Sequence, residues 1–369
     1  MPLYRVSCVR CDDYKALTVQ KALEETIANL GVSFRPGMKV LLKPNLMSPV
    51  RPERAITTHP SVLEEFCKML KAADVEILIG ESAFYNTDDA FAACGVSPLA
   101  RYGEIINFEK EPTRLTPLGD KVGAVPLPEI LFQADCIVNI AKMKTHGLTG
   151  VTLCVKNLYG CIPGVVKQKY HNILPNPRLF SRFLIELQEA IAPHLNIIDG
   201  IVGLEGEGPG RSGRPTHSGL IVAGLSACAT DIIASEMMGF RPDEIHTNRY
   251  SGISRTEIET VGSGCHKKTS FQKPLSANFP RLIYLAGLLP RSRITFDLGR
   301  CVVCGLCGEK CPAEAISFHP GPQCDHKRCI LCHCCIEVCP QGAVLLREHW
   351  VRRFLRSVIK RHFKQKRKG

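Results

Sequence analysis

The sequence predicts an α/β domain with a largely parallel open sheet and covering helices, followed by a small C-terminal α+β domain organised by cysteines. Three observations predict it. Strand-length apolar runs alternate with helical periodicities through the first half, cysteines crowd into one late segment, and that segment repeats one spacing twice.

Strands are expected at Tyr4–Val9, Lys39–Leu42, Glu76–Ile79, Cys136–Ile140 and Leu195–Ile198, and helices at Leu17–Leu30, Ser61–Lys71, Asp88–Cys94 and Leu179–Ile191. A strand at Leu220–Ala223 and a helix at Ser226–Met238, with Ser226 as N-cap, extend the alternation. Parallel pairing needs a covered crossover, which this rhythm supplies. Residues 203–216, GLEGEGPGRSGRPT, are dense in glycine and proline, so a loop is expected there. Beyond residue 239 the periodicity weakens, with Gly262–Ser270 and Pro274–Pro280 as irregular connectors. The apolar run Leu282–Leu289 fits either a short docking helix or part of the first core. The expected domains are 1–290, 291–346 and a basic tail, 347–369.

Of the 19 cysteines in 369 residues, ten lie between Cys301 and Cys339, and the other nine are scattered without repeated spacing. That split argues against a disulfide framework and for a metal module in a reducing compartment. The N-terminal stretch lacks a basic-then-apolar signal, and no uninterrupted apolar run reaches the ~20 residues of a membrane span. A cytoplasmic location is expected. Net charge is +12, of which the last segment, 347–369, carries +9, so the body is not notably basic.

The late cysteines read CVVCGLCGEKCP from Cys301 and CILCHCCIEVCP from Cys329, both C-x2-C-x2-C-x3-C-P. Runs of this kind supply three ligands to one [4Fe–4S] cluster and a fourth to its neighbour. Cys301, Cys304, Cys307 and Cys339 are therefore assigned to one cluster, and Cys329, Cys332, Cys335 and Cys311 to the other. This makes the last domain ferredoxin-like. Gly305 and Gly308 are expected to form tight turns that bring thiolates and N–H groups together. Zinc, the competing reading, needs one four-ligand set and no interlocked pair. Cys324 and Cys334 are surplus.

In the first domain, polar residues follow the apolar runs. Lys43 and Asn45 follow VLL, Glu81 and Ser82 follow EILI, and Asn139, Lys142 and Lys144 follow CIV. Ligands of open α/β sheets bind beyond the carboxyl ends of strands. If these strands are neighbours, the lysines and amides suit an anionic small molecule. A helix over Leu148–Leu158 would aim N–H groups at the same place, leaving Lys156 and Asn157 roughly 15 Å along it unless the chain turns back. Catalytic candidates for proton transfer are His59, Glu81 and His146, with His217 a further histidine; for each lone histidine, a hydrogen-bonded structural role is the competing reading. For the lysine cluster it is a solvated surface. The EGEGPG loop lacks both GxGxxG and GxxxxGK[ST] orders, which disfavours a nicotinamide or ATP site of the usual kind. A hard-metal site from Glu81, Asp199, Glu205, Glu207 and Asp231 has no compact spacing behind it.

Several of these pieces resemble the domain-of-unknown-function family 362, whose members are often fused to a C-terminal ferredoxin. The matching segments are Lys43-Pro44-Asn45, His59-Pro60, Gly80-Glu81-Ser82, the run from Asn139 to His146, the run from Val155 to Gly160, Asp199-Gly200, Glu205-Gly206 and Gly208-Pro209. The resemblance implies a cytosolic iron–sulfur protein and is compatible with a redox enzyme. It carries over no catalytic residue.

In the tail, Trp350, Val351, Phe354, Leu355, Val358 and Ile359 share one side of a helical wheel, opposite Arg352, Arg353, Arg356 and Lys360. Such a helix suits an anionic membrane surface, or packing against this chain or a partner; nucleic acid has only the charge in its favour. The combined expectation is an iron–sulfur oxidoreductase fed by an external low-potential electron carrier and acting on an anionic organic substrate. A flavin or other organic cofactor would have to bind without a recognisable motif. The alternative is a non-catalytic electron-transfer or metal/cluster-assembly component.

Overall fold

The computed structural model describes residues 3–274 except 85, 165 and 175, and residues 293–347 except 333. The chain divides into two compact units, 1–275 and 276–369. The expected boundary at 290/291, the run Leu282–Leu289, the connector Pro274–Pro280 beyond its first residue and the tail beyond Arg347 lie outside the described residues.

The first unit begins with β1 (Tyr4–Arg10), α1 (Ala16–Leu30), β2 (Lys39–Lys43), α2 (Pro60–Ala72), β3 (Glu76–Glu81), α3 (Thr87–Ala93) and β4 (Glu104–Asn107). A hairpin of β5 (Thr113–Leu118) and β6 (Gly123–Pro128) carries the single turn α4 (Gly119–Val122) at its tip. After α5 (Ile130–Gln133) come β7 (Cys136–His146), β8 (Gly150–Thr152), α6 (Cys154–Asn157), α7 (Val166–Ile173) and α8 (Pro177–Ile191). The unit closes with β9 (Leu195–Gly206), β10 (Gly213–Gly224), α9 (Ala227–Met237), α10 (His246–Tyr250) and β11 (Ile258–Val261).

The main sheet runs β11-β1-β10-β9-β7-β2-β3-β4, with β8 paired to β7. Pairing is parallel from β9 through β7, β2 and β3 to β4, and antiparallel where β10 joins β9 and β1. The result is the mostly parallel α/β sheet expected. Its central strands are buried on both faces, which explains runs such as KVLL and CIV without polar alternation. Val40, Leu42, Val138, Ile140 and Ile197 pack on one face against Val19 and Leu23 of α1 and Val62, Leu63 and Phe66 of α2.

Local chemistry sets the helix starts. Asn86 and Asn176 accept backbone N–H groups at the heads of α3 and α8, and the Ser226 hydroxyl accepts from Ala229 at the head of α9. Pro60 and Pro177 take first-turn positions, where the missing N–H costs nothing.

Three expectations change. The glycine-rich segment 203–216 is mostly strand, because β9 runs to Gly206 and β10 restarts at Gly213, pairing the two across most of it. Lys142 and Lys144 lie within β7 rather than past its end, since the strand continues to His146. The continuous helix expected over Leu148–Leu158 is instead β8, then the single turn α6 and a 3-10 turn from Leu158 to Cys161. Pairing of β8 with the end of β7 outcompetes helix formation there.

In the second unit, β12 (Arg293–Phe296) pairs antiparallel with β15 (Val344–Arg347). Between them lie α11 (Leu306–Glu309), the paired β13 (Ile316–Ser317) and β14 (Gln323–Cys324), and α12 (Cys334–Val338). Small antiparallel ladders with two short helices give the ferredoxin-like α+β form. Among the described residues, no helix is long and apolar enough to cross a membrane.

Candidate functional site

From β2 the chain adds β3 and β4 on one side and later inserts β7 on the other, so the strand order reverses at the β2/β7 seam. Lys43 and Asn139 are register partners across it. This is the topological position at which open α/β sheets bind ligands.

Lys43 Nζ donates to Glu81 Oε2 at 2.7 Å and to the Pro44 carbonyl at 2.9 Å. The two charged side chains are 0% and 3% exposed. A buried pair of this kind holds only when the remaining lone pairs are also bonded. The backbone N–H groups of Leu46 and Ser82 meet that need on the Glu81 carboxylate. Gly160 packs directly on the pair: a Cβ there would stand 2.2 Å from Glu81 Oε1 and 2.7 Å from Lys43 Nζ.

A chain of amides crosses the seam. Lys144 Nζ donates to Asn45 Oδ1 at 2.8 Å, Asn45 Nδ2 to Asn157 Oδ1 at 2.7 Å, and Asn157 Nδ2 to Asn139 Oδ1 at 2.8 Å. Asn139 Nδ2 then donates to Asn196 Oδ1 at 2.9 Å, and Asn196 Nδ2 to the Leu225 carbonyl at 3.2 Å. An ammonium only donates and a carbonyl only accepts, so the two ends orient every amide between them. Asn157 belongs here because the chain turns back after β8. The turn is held by Asp231 of α9, whose carboxylate accepts from Cys154 N at 2.7 Å and Val155 N at 3.0 Å. Burial raises the Asp231 carboxyl to about 7, although these N–H groups oppose the shift.

Lys142 reaches the sheet face covered by α1 and α2. Its Nζ donates to Asp199 Oδ2 at 2.8 Å and to the Tyr14 hydroxyl at 2.9 Å, with Lys142 1% and Asp199 0% exposed. Tyr14 donates to Asp199 Oδ1 at 3.0 Å, and the His59 and Ile201 N–H groups complete the carboxylate's shell. The His59 ring stacks on Tyr14 with centroids 3.7 Å apart. Its Nδ1 caps α2 by accepting from Ser61 N, which leaves the ring proton on Nε2. Burial lowers His59 to about 4, helped by Lys142 and opposed by Asp199. Burial likewise lowers Lys142, against the pull of Asp199.

The other candidates fall outside these contacts or beside them. His146 is buried, and its Nδ1 accepts from Leu148 and Thr149 N–H groups at 3.0 and 3.4 Å. His217 bonds the Asp12 carbonyl at the surface. Lys156 sits over the Tyr159 ring. Sequence reasoning passed over Tyr14 and Lys167. Tyr14 follows β1 as Lys43 closes β2, so the strand-end signal was available for it. Lys167 Nζ donates to Ser82 O, Ser82 Oγ and Ala83 O, and burial lowers it to about 8. No spacing links it to Ser82. Among the described residues, no three His, Cys, Asp or Glu side chains converge on a point for a single ion.

In the second unit the cysteines line two cavities. Cys301, Cys304, Cys307 and Cys339 line the first, and Cys311, Cys329, Cys332, Cys335 and Cys324 line the second. With their open mouths included, the volumes are ≈ 340 and ≈ 320 Å³. The repeats also match in backbone. Val303 and Leu331, each just before a second cysteine, have φ of 51° and 54°. Ala315 N donates to Cys311 Sγ at 3.3 Å and Ala343 N to Cys339 Sγ at 3.2 Å. N–H groups aimed at thiolates are the donors an iron–sulfur group uses. Gly305 takes φ of 81°, and a Cβ on Gly308 would stand 2.6 Å from the Phe318 ring, so both turns require glycine.

Residues 294–317 match the model of the 4Fe-4S binding domain, and residues 40–236 match the domain of unknown function DUF362. The thylakoid-associated protein sll1697 of Synechocystis is 32% identical over 247 residues, which are 66% of this chain and 77% of that protein. Among solved structures, the lactate racemase apoprotein of Thermoanaerobacterium thermosaccharolyticum has a TM-score of 0.41 at 16% identity, over 64% of this chain and 57% of that one. A structural-genomics protein of Thermotoga maritima has a TM-score of 0.39 at 17% identity, over 59% and 57%. The chain thus spans just over half of each of these solved chains. The chain belongs to the DUF362 family, and it carries an iron–sulfur, 4Fe-4S binding domain on the C-terminal side of its family domain.

Proposed function

We propose that this protein is an iron–sulfur oxidoreductase whose second unit holds two [4Fe–4S] clusters and whose first unit holds an anionic organic substrate. The pair of thiol-lined cavities carries the reading, each walled by three cysteines of one repeat and the fourth of the other. Cys301, Cys304, Cys307 and Cys339 would hold one cluster, and Cys329, Cys332, Cys335 and Cys311 the other. When bound, such clusters supply one-electron transfer from an external low-potential carrier.

The substrate half is supported by the polar groups gathered at the β2/β7 seam. Lys43 and Lys144 bring ammonium charge to it, Lys142 adds one on the neighbouring β7/β9 pair, and Asn45 and Asn139 are pre-oriented by the amide chain. Charge developing on a substrate is stabilised most by donors that need not reorganise. Near neutral pH His59 is uncharged and donates from Nε2, while Lys167, lowered to about 8, is positioned in pKa to exchange a proton. Glu81 is engaged by Lys43 and by the Leu46 and Ser82 N–H groups, and His146 Nδ1 by the Leu148 and Thr149 N–H groups, so both orient more readily than they transfer. One observation favours the second reading, a non-catalytic electron-transfer or cluster-assembly component: Lys43 and Lys142 already have internal counter-ions. Peripheral membrane docking through the basic tail is proposed too, in keeping with the thylakoid association named for the relative.

The test is anaerobic purification of the full chain with iron, sulfide and zinc analysis, then electron paramagnetic resonance after dithionite reduction. Two magnetically interacting [4Fe–4S] centres are expected; zinc, or one centre, sinks the two-cluster reading. Reoxidation of the reduced protein by added carboxylate- or phosphate-bearing carbonyl compounds or conjugated alkenes supports the enzyme. With both clusters present and no compound oxidising them, the carrier reading stands instead.

A further inference from the structure

The two cysteine repeats align beyond their ligands. FDLGRCVVC in the first matches CDHKRCILC in the second, which sets Phe296 and Cys324 at equivalent positions, five residues before the first cysteine of each repeat. The backbone agrees: Cys301 N bonds Asp297 O and Cys329 N bonds Asp325 O, each at 3.0 Å. Phe296 lines the first cavity and Cys324 the second. One cavity is therefore closed at this position by a phenyl ring, the other by a thiol.

This makes five cysteines around the second cavity. Cys324 is held there by the β13–β14 ladder, in register with Ile316. It lines this cavity together with Cys329, the first cysteine of its own repeat, and with Cys311 of the other. Cys67, by comparison, is buried in the apolar core of the first unit. Cys324 instead faces thiols.

Resting on the two-cluster reading above, we propose that Cys324 is an alternate iron ligand of the second cluster, placed to take over the coordination position of Cys329. The step is a ligand exchange without electron transfer. At an iron left with water in place of Cys329, the Cys324 thiol would release its proton to solvent, its Sγ would bond that iron, and the water would leave. Iron valence is unchanged, and the negative charge gained with the thiolate is balanced by the proton released. The first cavity has no such reserve, since its equivalent residue is Phe296.

The experiment compares full-length chains purified anaerobically: wild type, Cys324→Ala, Cys329→Ala and the double variant. Iron and sulfide per chain should be unchanged in both single variants and fall two-fold in the double variant, which keeps only the first cluster. A two-fold fall in Cys329→Ala alone overturns the proposal. Wild type holding one cluster or zinc overturns the two-cluster reading itself, so the two failures are distinguishable. Should Cys329→Ala not accumulate, iodoacetamide labelling of loaded Cys329→Gly beside loaded wild type decides. Cys324 should be labelled in wild type, where Cys329 holds the iron, and at least two-fold less in Cys329→Gly, where Cys324 replaces it; equal labelling in both overturns the proposal.

Discussion

Replacing Lys142 by methionine separates an ammonium held for a substrate from one neutralised inside the fold. Removing one partner of a buried ion pair costs about 3–5 kcal/mol, because the other charge is left uncompensated. Here Asp199 would keep three donors, the Tyr14 hydroxyl and the His59 and Ile201 N–H groups, which places Lys142→Met near the low end, about 3 kcal/mol. Methionine nearly fills the lysine stem's volume, so little is added by a cavity. Asp199→Asn removes the negative charge and strands the ammonium instead. The double variant removes both charges, and its cost should fall short of the sum of the singles by about 1–2 kcal/mol, as coupled neighbours do. Denaturant unfolding followed by circular dichroism is the assay, since the single tryptophan, Trp350, lies outside the first unit. A Lys142→Met chain within about 1 kcal/mol of wild type, or strictly additive singles, would falsify the internal-pair account and point to an open, substrate-binding lysine.

Two further outcomes are expected. Gly160→Ala should destabilise by about 1–3 kcal/mol, because its Cβ would press on Glu81 and Lys43; a melting temperature equal to wild type contradicts that packing. His59 is lowered to about 4 from an ordinary value near 6.5, so the unfolded chain binds its proton first as pH falls. Its stabilising contribution is therefore complete above pH ~6.5 and lost as pH drops from there through about 4, by less than the ~3 kcal/mol of a fully buried ring. Unfolding curves should fall less steeply over that window in His59→Asn, which retains an N-cap acceptor; parallel curves would assign the loss to other groups.

Element type and chain order were legible at short range. Strands such as VLL and CIV and helices such as α2 and α8 follow from local apolar periodicity, and the cysteine repeats from a fixed spacing that survives translation along the chain. The same locality explains the misreadings. Glycines in 203–216 signal a turn, and only pairing with a partner strand shows that most of the segment is β9 and β10. Residues 148–158 satisfy a helical pattern, yet the edge offered by β7 claims 150–152 first.

By itself, then, the sequence determined which polar residues follow the apolar runs and which thiols repeat, since both are properties of spacing. Tertiary structure alone decided what each of them touches. Lys43 meets Glu81, Lys142 meets Asp199 and Tyr14, and Asn45 reaches Asn157, in contacts between residues 38, 57, 128 and 112 positions apart. Charge and hydrogen-bonding capacity are written in residue type, but burial and partnership arise only when distant strands are laid side by side. That is why lysines that read in one dimension only as charge near strand ends are seen, in three, with the partner each ammonium meets.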